Sequence, residues 1–532
     1  MVNRMVSQLI RNYTILYFLD YGKSFGGAVN ALLQQAILMK KAGHRVVLFF
    51  SDYLGNEIEA DYEGIYRELG IEWSWTTYQI SSQTEDIDVV CLVRNYDKLK
   101  KEISSYNPDL LHSVQINPGV ELVGRELKIP HIMNIYPLIP EFFTVDYLNV
   151  FPHYHLCDSW YYAKKWQYYL KTDSSCIRTV VNSRHKRNWS IDRSLIDYIC
   201  VGSIYKEKNQ LAVITSFHKA LQNGVNGRLT LCGYANSGYA DKCRRYIEEN
   251  RLNDKIFLKD FCPDMQAEYD KSDVLICGSK RESYPNVISE AMANGLVIIS
   301  TPVAGVPEVI ENDVNGYLAR DYSADALYEK IMCFHKDLLE GKVEQILKNA
   351  EQSFQECHAP QKVMLQLQQY YRYVCHDYDK RKNTNTTIVD ITAVKNAFGD
   401  LIYKFTQAEM HFTDSQKVGL KLWYLFHVEE RIRSAYREGK CFYIWGTGKY
   451  GIVVKELIDY FLPDIHISGF LDSCKKGTYL EYNIYNPEEM IQKENVAVFI
   501  AAVNGQDEMI ERLESQKKIF NKDFFILSSR RW

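Results

Sequence analysis

The sequence predicts an α/β fold with three successive units, each built on a parallel sheet. Short apolar segments that suit strands alternate with amphipathic segments that suit helices, first over residues 14–135 and again over residues 197–300. A third strand, glycine turn and helix follow at residues 441–461. Because such alternation is typical of parallel sheets covered by helices, and because 532 residues exceed one ordinary domain, we expect a multidomain α/β chain.

The composition excludes several classes of protein. The chain is 46% hydrophobic and 24% charged, a balance typical of globular proteins, and its net charge of −4 gives no basic field for nucleic acid. No apolar run reaches the roughly 18 residues of a membrane span, and no secretory signal is recognisable at the start. Thirteen cysteines without a CxxC pair suit reduced thiols, so we expect a cytoplasmic location. Peripheral membrane association stays open.

The first unit begins with a strand, a turn and a helix. The strand "TILYFLD" (14–20) precedes the glycine-bearing turn "YGKSFGG" (21–27), and an apolar stripe over residues 29–37 predicts the helix. The sequence then predicts four further strands: "RVVLFF" (45–50), "DVVCLV" (88–93), "DLLH" (109–112) and "HIMNI" (131–135). The second unit has five strand candidates: "DYICVG" (197–202), "RLTLCG" (228–233), "KIFLKD" (255–260), "DVLICG" (273–278) and "LVIIS" (296–300).

A long helix and a polar linker precede the third unit. The helix begins near residue 360, and "KNTNTT" (382–387) opens the linker. The strand "CFYIW" (441–445) then leads into a G-x-G-x-x-G turn formed by Gly446, Gly448 and Gly451, and the next strand ends at Asp472. The predicted domain boundaries are therefore 1–180, 181–358, a cross-over helix at 359–381, a helical linker at 382–438 and a third domain at 439–532.

Two glutamates flank a strand-loop-helix junction in "SKRESYPNVISEAMANG" (279–295). Glu282 follows a strand, where ligands bind in open α/β sheets, and Glu290 lies inside the next helix. We expect Ser283 to cap this helix and Pro285 to occupy its first turn. A helix start binds phosphate, and carboxylates accept hydrogen bonds from vicinal diols, so the pattern suits a nucleotide sugar. The simpler alternative is a pair of solvated charges favoured by the helix dipole.

The string "ESYPNVISEAMANGLVIISTPVAGVPEVIENDVNGYL" (282–318) closely resembles the donor-site segment of retaining glycosyltransferases of family 4. Further similarities are the glycine loop at Gly26 and Gly27, "AGHRVVLF" (42–49), "PDLLH" (108–112), "VGSIYKEKNQ" (201–210) and "LCG" (231–233). The resemblance covers about residues 14–375. It implies a GT-B fold, in which two Rossmann-like domains face each other across a cleft, with the acceptor on the N-terminal side and the donor on the C-terminal side.

The resemblance also implies roles for individual residues. Glu290 would bind the nucleotide ribose and Glu282 would lie beside the donor sugar, while Lys208 would neutralise the diphosphate. The remaining donor-site candidates are Gly26, Gly27, Ser203, Ser283, Tyr284, Pro285 and Asn286. The family usually has arginine where this chain has Ser203, and Lys206 or Arg281 could compensate. In addition, "PHIMNIY" offers Tyr136 where many members carry a cleft histidine, and His112 matches a different family histidine that orients a loop.

The implied activity is sugar transfer from a nucleoside-diphosphate sugar, with uridine diphosphate slightly favoured, to a glycan, lipid-linked or protein acceptor. The resemblance implies a hexosyltransferase-type enzyme that retains configuration and needs neither a metal nor a cofactor. Two D-x-D strings, Asp86/Asp88 and Asp377/Asp379, lie outside the positions where metal-dependent transferases use them, so we expect solvated faces there. The function expected is bacterial surface polysaccharide or glycoconjugate synthesis.

Two alternatives remain for the GT-B region, and two for the tail. The region could be a catalytically silent scaffold that partners another glycosyltransferase, or a nucleotide-sugar epimerase or phosphorylase of the same fold. The tail resembles the small Rossmann-like domain of bacterial surface-sugar modifying proteins. Gly446, Gly448, Gly451 and Asp472 would then form a second nucleotide site, or the glycine turn would serve packing alone. The sequence leaves the donor sugar, the acceptor and the oligomeric state undetermined.

Overall fold

The structure is a computed structural model of the 532-residue chain. It describes residues 11–19, 27–51, 58, 60–76, 89–114, 117–135, 153–170, 173–181, 194–235, 238–260, 262, 264–382, 422–502, 506–520 and 522–527. The chain divides into two compact units, and the main boundary falls between residues 386 and 387. The first unit contains two parallel sheets and the second contains a third sheet.

The first sheet has the order β3-β2-β1-β4-β5-β6-β7 among the described residues, and every neighbouring pair is parallel. Its strands are β1 (Thr14–Leu19), β2 (Arg45–Ser51), β3 (Glu72–Thr76), β4 (Leu110–Val114), β5 (His131–Asn134), β6 (Tyr154–Cys157) and β7 (Asp173–Cys176). The helices of this part of the chain are α1 (Gly27–Lys41), α2 (Ala60–Leu69), α3 (Val89–Ser105), α4 (Pro118–Leu127) and α5 (Trp160–Leu170).

The second sheet has the order β10-β9-β8-β11-β12-β13 and is also parallel throughout its described pairs. Its strands are β8 (Ile196–Val201), β9 (Gly227–Cys232), β10 (Ile256–Lys259), β11 (Val274–Cys277), β12 (Val297–Ser300) and β13 (Tyr317–Leu318). The accompanying helices are α6 (Gln210–Gln222), α7 (Gly238–Glu249), α8 (Met265–Asp270), α9 (Asn286–Ala293), α10 (Ala324–Leu339) and α11 (Val343–Cys357).

A long helix, α12 (Pro360–Lys382), returns from the second sheet to the first. Its buried face joins the core of the first sheet through Val363, Leu367 and Tyr371. The hydroxyl of Tyr371 lies 2.8 Å from that of Tyr17 on β1 and 2.7 Å from Nδ1 of His112 on β4. Helix α12 therefore completes the core of the N-terminal half, as expected for a cross-over helix.

One strand prediction in the first sheet is wrong. Residues 89–93 begin helix α3 instead of forming a strand. A short apolar run does not by itself distinguish a strand from a buried helical segment. The following buried residues, Tyr96, Leu99 and Ile103, are three and four positions apart, which is the spacing of a helix face.

The third sheet has the order β16-β17-β15-β14-β18-β19, and it is parallel except for the antiparallel pair β16–β17. Its strands are β14 (Cys441–Trp445), β15 (Ile467–Leu471), β16 (Gly477–Tyr479), β17 (Tyr482–Tyr485), β18 (Val496–Ile500) and β19 (Phe524–Ile526). The helices are α13 (Leu422–Arg437), α14 (Lys449–Phe461), α15 (Pro487–Met490) and α16 (Gln506–Ser515). Within the described part of the chain, no helix is both long enough and apolar enough to cross a bilayer.

Candidate functional site

The candidate site lies where β8 and β11 end. These strands are neighbours in the second sheet, so the segments that follow them start side by side. After β8 the chain passes Gly202, whose φ of +135° suits glycine, into a 3-10 turn at Lys206–Lys208. After β11 it enters a loop at residues 278–285 that leads into α9. Parallel strands thus bring the lysine and glutamate candidates to one sheet edge.

Lys208 and Glu282 form an ion pair across this edge. Nζ of Lys208 donates to Oε1 of Glu282, and the side chains are 23% and 15% exposed. Oγ of Ser279 donates to the same carboxylate oxygen over 3.2 Å. Burial disfavours the ammonium, but the facing carboxylate more than offsets this effect and raises the pKa of Lys208. Lys208 is therefore a charged, partly buried cation at neutral pH.

The loop that carries Glu282 is fixed by Asn209. Its Nδ2 donates to the carbonyl oxygens of Gly278 and Tyr322, each over 3.0 Å, and its side chain is buried. The backbone N–H of Lys280 donates to the carbonyl of Glu207 over 2.7 Å. These bonds join the 3-10 turn to the loop, so the distance between the two charged residues is set by backbone contacts.

Helix α9 begins two residues later than the sequence predicts. Pro285 is its N-cap residue and makes no side-chain capping bond, so the helix runs from Asn286. The expectation that Ser283 caps α9 is wrong, because its hydroxyl donates instead to the Asp158 carboxylate. The N-cap residue therefore provides no side-chain acceptor for the first N–H groups of α9. This end of the helix is suited to binding an anion.

The first helix of the N-terminal half faces the start of α9. A Cβ placed on Gly27 would lie 3.6 Å from Nδ2 of Asn286, so the two helix N-termini approach closely. Gly27 is the first residue of α1, whereas Gly26 lies outside the described residues. Two helix N-termini that converge in this way create positive potential at one place, which favours a phosphate group.

Glu290 lies on α9 and is the second carboxylate of the pair. The hydroxyl of Tyr269, on α8, donates to its Oε2 atom. Burial raises the pKa of Glu290, and the bond from Tyr269 acts in the opposite direction. The structure thus places an incompletely solvated carboxylate on the helix that starts at the candidate phosphate position.

Tyr284 is buried between the two halves of the first unit and is not exposed at the site. Its ring stacks on His358 with centroids 5.2 Å apart, and the Arg178 guanidinium lies 5.0 Å from its ring centroid. Burial raises its pKa. Pro285 is also buried, so only the backbone of these two residues could reach a ligand.

Ser203 stands where the family that this sequence resembles usually has arginine, and the side chains at and around this position are exposed. Ser203, Lys206 and Arg281 all lie at the surface around the end of β8 and the following loop. The carbonyl of Ser203 accepts from Nε2 of Gln210 over 3.0 Å, which fixes its backbone. The position is therefore open enough for a larger side chain.

The remaining candidates of the N-terminal half divide into three groups. His112 is buried between Tyr371 and Asn134, and burial lowers its pKa to about 3, so it is a neutral core residue. Asp377 on α12 accepts from the Tyr154 hydroxyl over 2.8 Å and from Arg381 over 2.6 Å. Tyr136, Asp86 and Asp88 lie outside the described residues. Among the residues that are described, no cluster of three His, Cys, Asp or Glu side chains could hold a metal ion.

The tail contains the predicted strand, glycine turn and helix. Gly446 has a φ of +128°, which favours glycine. A Cβ on Gly451 would lie 2.2 Å from the carbonyl oxygen of Gly446, so the turn itself requires both glycines. Gly448 has no neighbouring heavy atom within 4 Å of a Cβ. Asp472 accepts from the Thr447 hydroxyl and from the N–H groups of Cys474 and Lys475. Its carboxylate therefore stabilises the turn. This structural role is an alternative to the ribose-binding role expected for Asp472.

Sequence reasoning missed a group of residues that joins the two halves. Asp158 and Ser159 follow β6, Arg178 follows β7, and they contact Ser283 and Glu308 of the C-terminal half. The two strands are short, and "DSSC" is polar, so neither resembles a typical strand. The Asp158-Ser159 pair immediately before α5 is a pair of residue types favoured at helix starts, and this signal could have drawn attention to Asp158.

Three sheets of this kind, the first two joined by a returning cross-over helix, define a GT-B fold with an additional C-terminal α/β domain. Residues 182–353 match the profile of the family "Glycosyl transferases group 1". The matched segment contains Lys208, Glu282 and Glu290.

Curated relatives match shorter stretches of the chain. The putative colanic acid biosynthesis glycosyltransferase WcaL of Escherichia coli is 27% identical over 147 residues, which are 26% of this chain and 36% of that protein. The amylovoran biosynthesis glycosyltransferase AmsK of Erwinia amylovora is 32% identical over 105 residues, 18% of this chain and 26% of that protein. The alignments thus span well under two thirds of the relatives' own lengths.

Solved structures match a larger share of the chain. A glycosyltransferase from Rickettsia africae gives a TM-score of 0.56 at 16% identity and covers 68% of this chain and 99% of its own. Anabaena Alr3699/HepE, solved in complex with UDP, gives a TM-score of 0.54 at 16% identity and covers 68% of this chain and 100% of its own. At this identity the likeness establishes the fold.

Proposed function

We propose that the chain is a glycosyltransferase that moves a sugar from a nucleoside-diphosphate sugar to a glycan, lipid-linked or protein acceptor. The observation that carries this proposal is the Lys208–Glu282 ion pair at the ends of β8 and β11, together with the partly buried Glu290 on the adjoining helix α9. The relatives named for colanic acid and amylovoran synthesis favour a role in bacterial surface polysaccharide or glycoconjugate synthesis.

Each part of the donor has a matching partner in this site. The carboxylate of Glu290 accepts hydrogen bonds from the ribose hydroxyls, because an ionised carboxylate is acceptor only. The start of α9 and the facing start of α1 at Gly27 bind the diphosphate. Glu282 lies beside the sugar. A uridine nucleotide is the first candidate, since the HepE structure similar to this chain holds UDP.

Transfer requires stabilisation of the departing diphosphate. The bond between C1 of the sugar and the phosphate oxygen breaks, the acceptor oxygen bonds to C1, and the acceptor proton passes to the departing phosphate. Lys208 supplies a positive charge where negative charge develops, and its raised pKa keeps it protonated throughout the neutral range. Donor binding draws this ammonium from Glu282 toward the phosphates and frees the carboxylate for the sugar hydroxyls.

The finer properties of the reaction belong to the same proposal. Retention of configuration, transfer of a hexose and independence from metal ions follow from the resemblance to family 4. Activity should persist when EDTA is added in excess over trace divalent ions. An absolute requirement for added Mg²⁺ or Mn²⁺ would contradict a diphosphate site that depends on Lys208 and helix N-termini.

Donor hydrolysis tests the proposal directly. The full chain is incubated with UDP-, GDP- and ADP-hexoses without acceptor, and release of the nucleoside diphosphate is measured for the wild type and for Lys208→Ala. We expect slow release from one donor class and strong loss of release in the variant. Equal rates in both proteins, or no thermal shift and no release with any donor, would overturn the proposal.

A second candidate function is a catalytically silent partner of another glycosyltransferase. It is favoured by Ser203, which stands where the family usually has a cation, while the ammonium of Lys208 is already engaged by Glu282. Such a protein would bind a nucleotide sugar, seen as a rise in melting temperature, without releasing the nucleoside diphosphate. It would in addition increase the rate of a partner transferase supplied from the same cells.

A further inference from the structure

The loop that carries Glu282 is bound to the end of β6, in the N-terminal half of the first unit. The Ser283 hydroxyl donates to Oδ1 of Asp158, and its oxygen lies 3.0 Å from Oγ of Ser159. All three side chains are buried, with exposures of 1%, 4% and 0% for Ser283, Asp158 and Ser159. The neighbour of Glu282 is thus bound to the opposite half by a charge-assisted hydrogen bond whenever Asp158 is ionised.

The backbone of Asp158 is fixed by Arg178, which also contacts Glu308. Nη1 of Arg178 donates to its backbone carbonyl, and Nη2 of the same guanidinium donates to Glu308 over 2.5 Å. The Glu308 carboxylate also accepts from the backbone N–H groups of Trp160 and Tyr161, over 2.9 and 2.7 Å. The start of α5 and the Asp158 backbone are therefore locked to the C-terminal half by contacts that do not involve Ser283.

The space around Ser283 is closed on its other side by Gly305. The N–H of Gly305 donates to the Ser283 carbonyl over 2.9 Å. A Cβ on Gly305 would lie 2.8 Å from that carbonyl oxygen and 2.5 Å from Cβ of Ser159, so only glycine fits. Gly305 therefore packs tightly against the Ser283 backbone, and the Ser283 hydroxyl is directed toward Asp158.

We propose that Asp158 is a positioning residue for sugar transfer, which orients the donor loop through Ser283 and thereby places Glu282 against the donor sugar. This inference rests on the proposed transferase function. It assigns Asp158 no contact with the substrate. The N-terminal half would thus contribute to the donor site as well as to the acceptor site.

The surroundings of Asp158 make this contact sensitive to pH. The charged and titratable groups around it are Arg178, Glu282, Tyr284, Glu308, Cys157 and Cys176. Burial raises the pKa of Asp158 to about 7, while the bond from Ser283 and the charge of Arg178 act in the opposite direction. As the pH rises through this value, Asp158 ionises and its bond from Ser283 strengthens, so turnover should rise.

Ionisation of Asp158 has the opposite effect on the stability of the folded chain, which it lowers. The pKa of Asp158 is higher in the folded chain than its ordinary value of 3.8, so protonation favours the folded state. That contribution is complete below the ordinary value and is lost as the pH rises through about 7. Asp158→Asn should consequently keep or raise the melting temperature at pH 8, which a residue with a merely stabilising role would not do.

The test compares Asp158→Asn with Asp377→Asn in the full-length chain. Asp377 also accepts a hydrogen bond from a hydroxyl at β6, that of Tyr154, but at the opposite end of the strand. With the best UDP-sugar as donor, Asp158→Asn should lower kcat for donor hydrolysis about tenfold or more, change the Kd for UDP less than threefold, and abolish the inflection of kcat near pH 7. Asp377→Asn should change none of these values.

A double-mutant cycle with Ser283→Ala identifies the route. If Asp158 acts through Ser283, the double variant loses no more activity than the more damaged single variant. Multiplicative losses, or an Asp158→Asn enzyme with wild-type kcat and pH profile, would overturn the inference. Loss in Lys208→Ala together with a silent Asp158→Asn would leave the transferase proposal standing and remove only the positioning role. Silence of both variants would remove the transferase proposal itself.

Discussion

At the scale of single residues, the two glutamates of the site differ in environment although their sequence context makes them look alike. Glu282 accepts from Lys208 and Ser279, whereas Glu290 is partly buried and accepts from Tyr269. The local string was enough to select both residues. It could not show that Ser283 bonds to Asp158, because those residues are 125 positions apart and no local pattern connects them.

The different surroundings predict different defects. Glu290→Ala should weaken UDP binding by about 1.5–3 kcal/mol, roughly ten- to hundredfold, because the ribose hydroxyls lose a charged acceptor. Glu282→Ala should reduce turnover more than UDP affinity, because its partner is the sugar. Calorimetric titration with UDP and measurement of donor hydrolysis separate the two effects. Wild-type affinity and turnover in both variants would identify the pair as solvated charges.

The raised pKa of Glu290 predicts a conflict between stability and binding. Its folded-state pKa lies above the ordinary 4.5, so its protonated form favours folding, and this contribution is lost as the pH rises through the folded-state value. UDP binding needs the ionised form and should weaken as the pH falls from neutrality toward 4.5. Glu290→Gln should therefore melt at an equal or higher temperature than the wild type at pH 7.5, yet bind UDP more weakly. A lower melting temperature of Glu290→Gln would contradict the inference that burial disfavours the ionised carboxylate of Glu290.

Lys208 and Ser203 together test the cation supply of the site. Lys208→Ala should lower turnover about 10²–10³-fold, because a preorganised positive charge is removed from the departing diphosphate. Lys219→Ala is the matched control, since Lys219 also pairs with a carboxylate, Asp325, but at an exposed position. Ser203→Arg should raise donor affinity or turnover modestly. Loss of activity in Ser203→Arg would mean that the pocket is shaped around serine and differs from the family geometry.

At the scale of secondary-structure elements, the sequence predicted strands well where they are apolar on both faces. The bounds of the predicted strands of the second unit lie within one residue of those of β8–β12. The short strands β6 and β7 were missed, because "YHLC" and "DSSC" have neither length nor alternation. Their carboxyl ends carry Asp158 and Arg178, so missing the two strands also meant missing the contact between the two halves of the first unit.

The turn between β14 and α14 offers a clean element-scale test of the tail. A Cβ at Gly448 meets no atom within 4 Å, whereas a Cβ at Gly451 would collide with the Gly446 carbonyl. Gly448→Val should therefore fold normally and block any nucleotide that binds the turn, while Gly451→Val should destabilise the tail domain. Circular dichroism melts and titration with UDP and UDP-sugars distinguish the two. If Gly448→Val leaves tail binding unchanged, or if the wild-type tail binds no nucleotide, the turn serves packing alone.

At the scale of the whole molecule, the GT-B region and the tail form two compact units with separate hydrophobic cores. The GT-B fold was predictable because its two sheets repeat one strand-helix alternation and its donor segment resembles a known family. The order and extent of the tail sheet were less predictable, because β16 and β17 are short and include an antiparallel pair. The domain boundaries proposed from the sequence stay predictions.

Separate cores predict separate unfolding. Calorimetry of the full chain should show two unfolding transitions. UDP should stabilise the first unit by mass action, increasing its free energy of unfolding by about 2.7 kcal/mol at a UDP concentration of one hundred times the Kd. Gly451→Val should lower only the tail transition, and it should leave release of the nucleoside diphosphate within about twofold of the wild type. A chain that ends at residue 382 should likewise keep donor hydrolysis. If the shortened chain folds but is inactive, and Gly451→Val is inactive as well, the tail takes part in the reaction and the two units do not act independently.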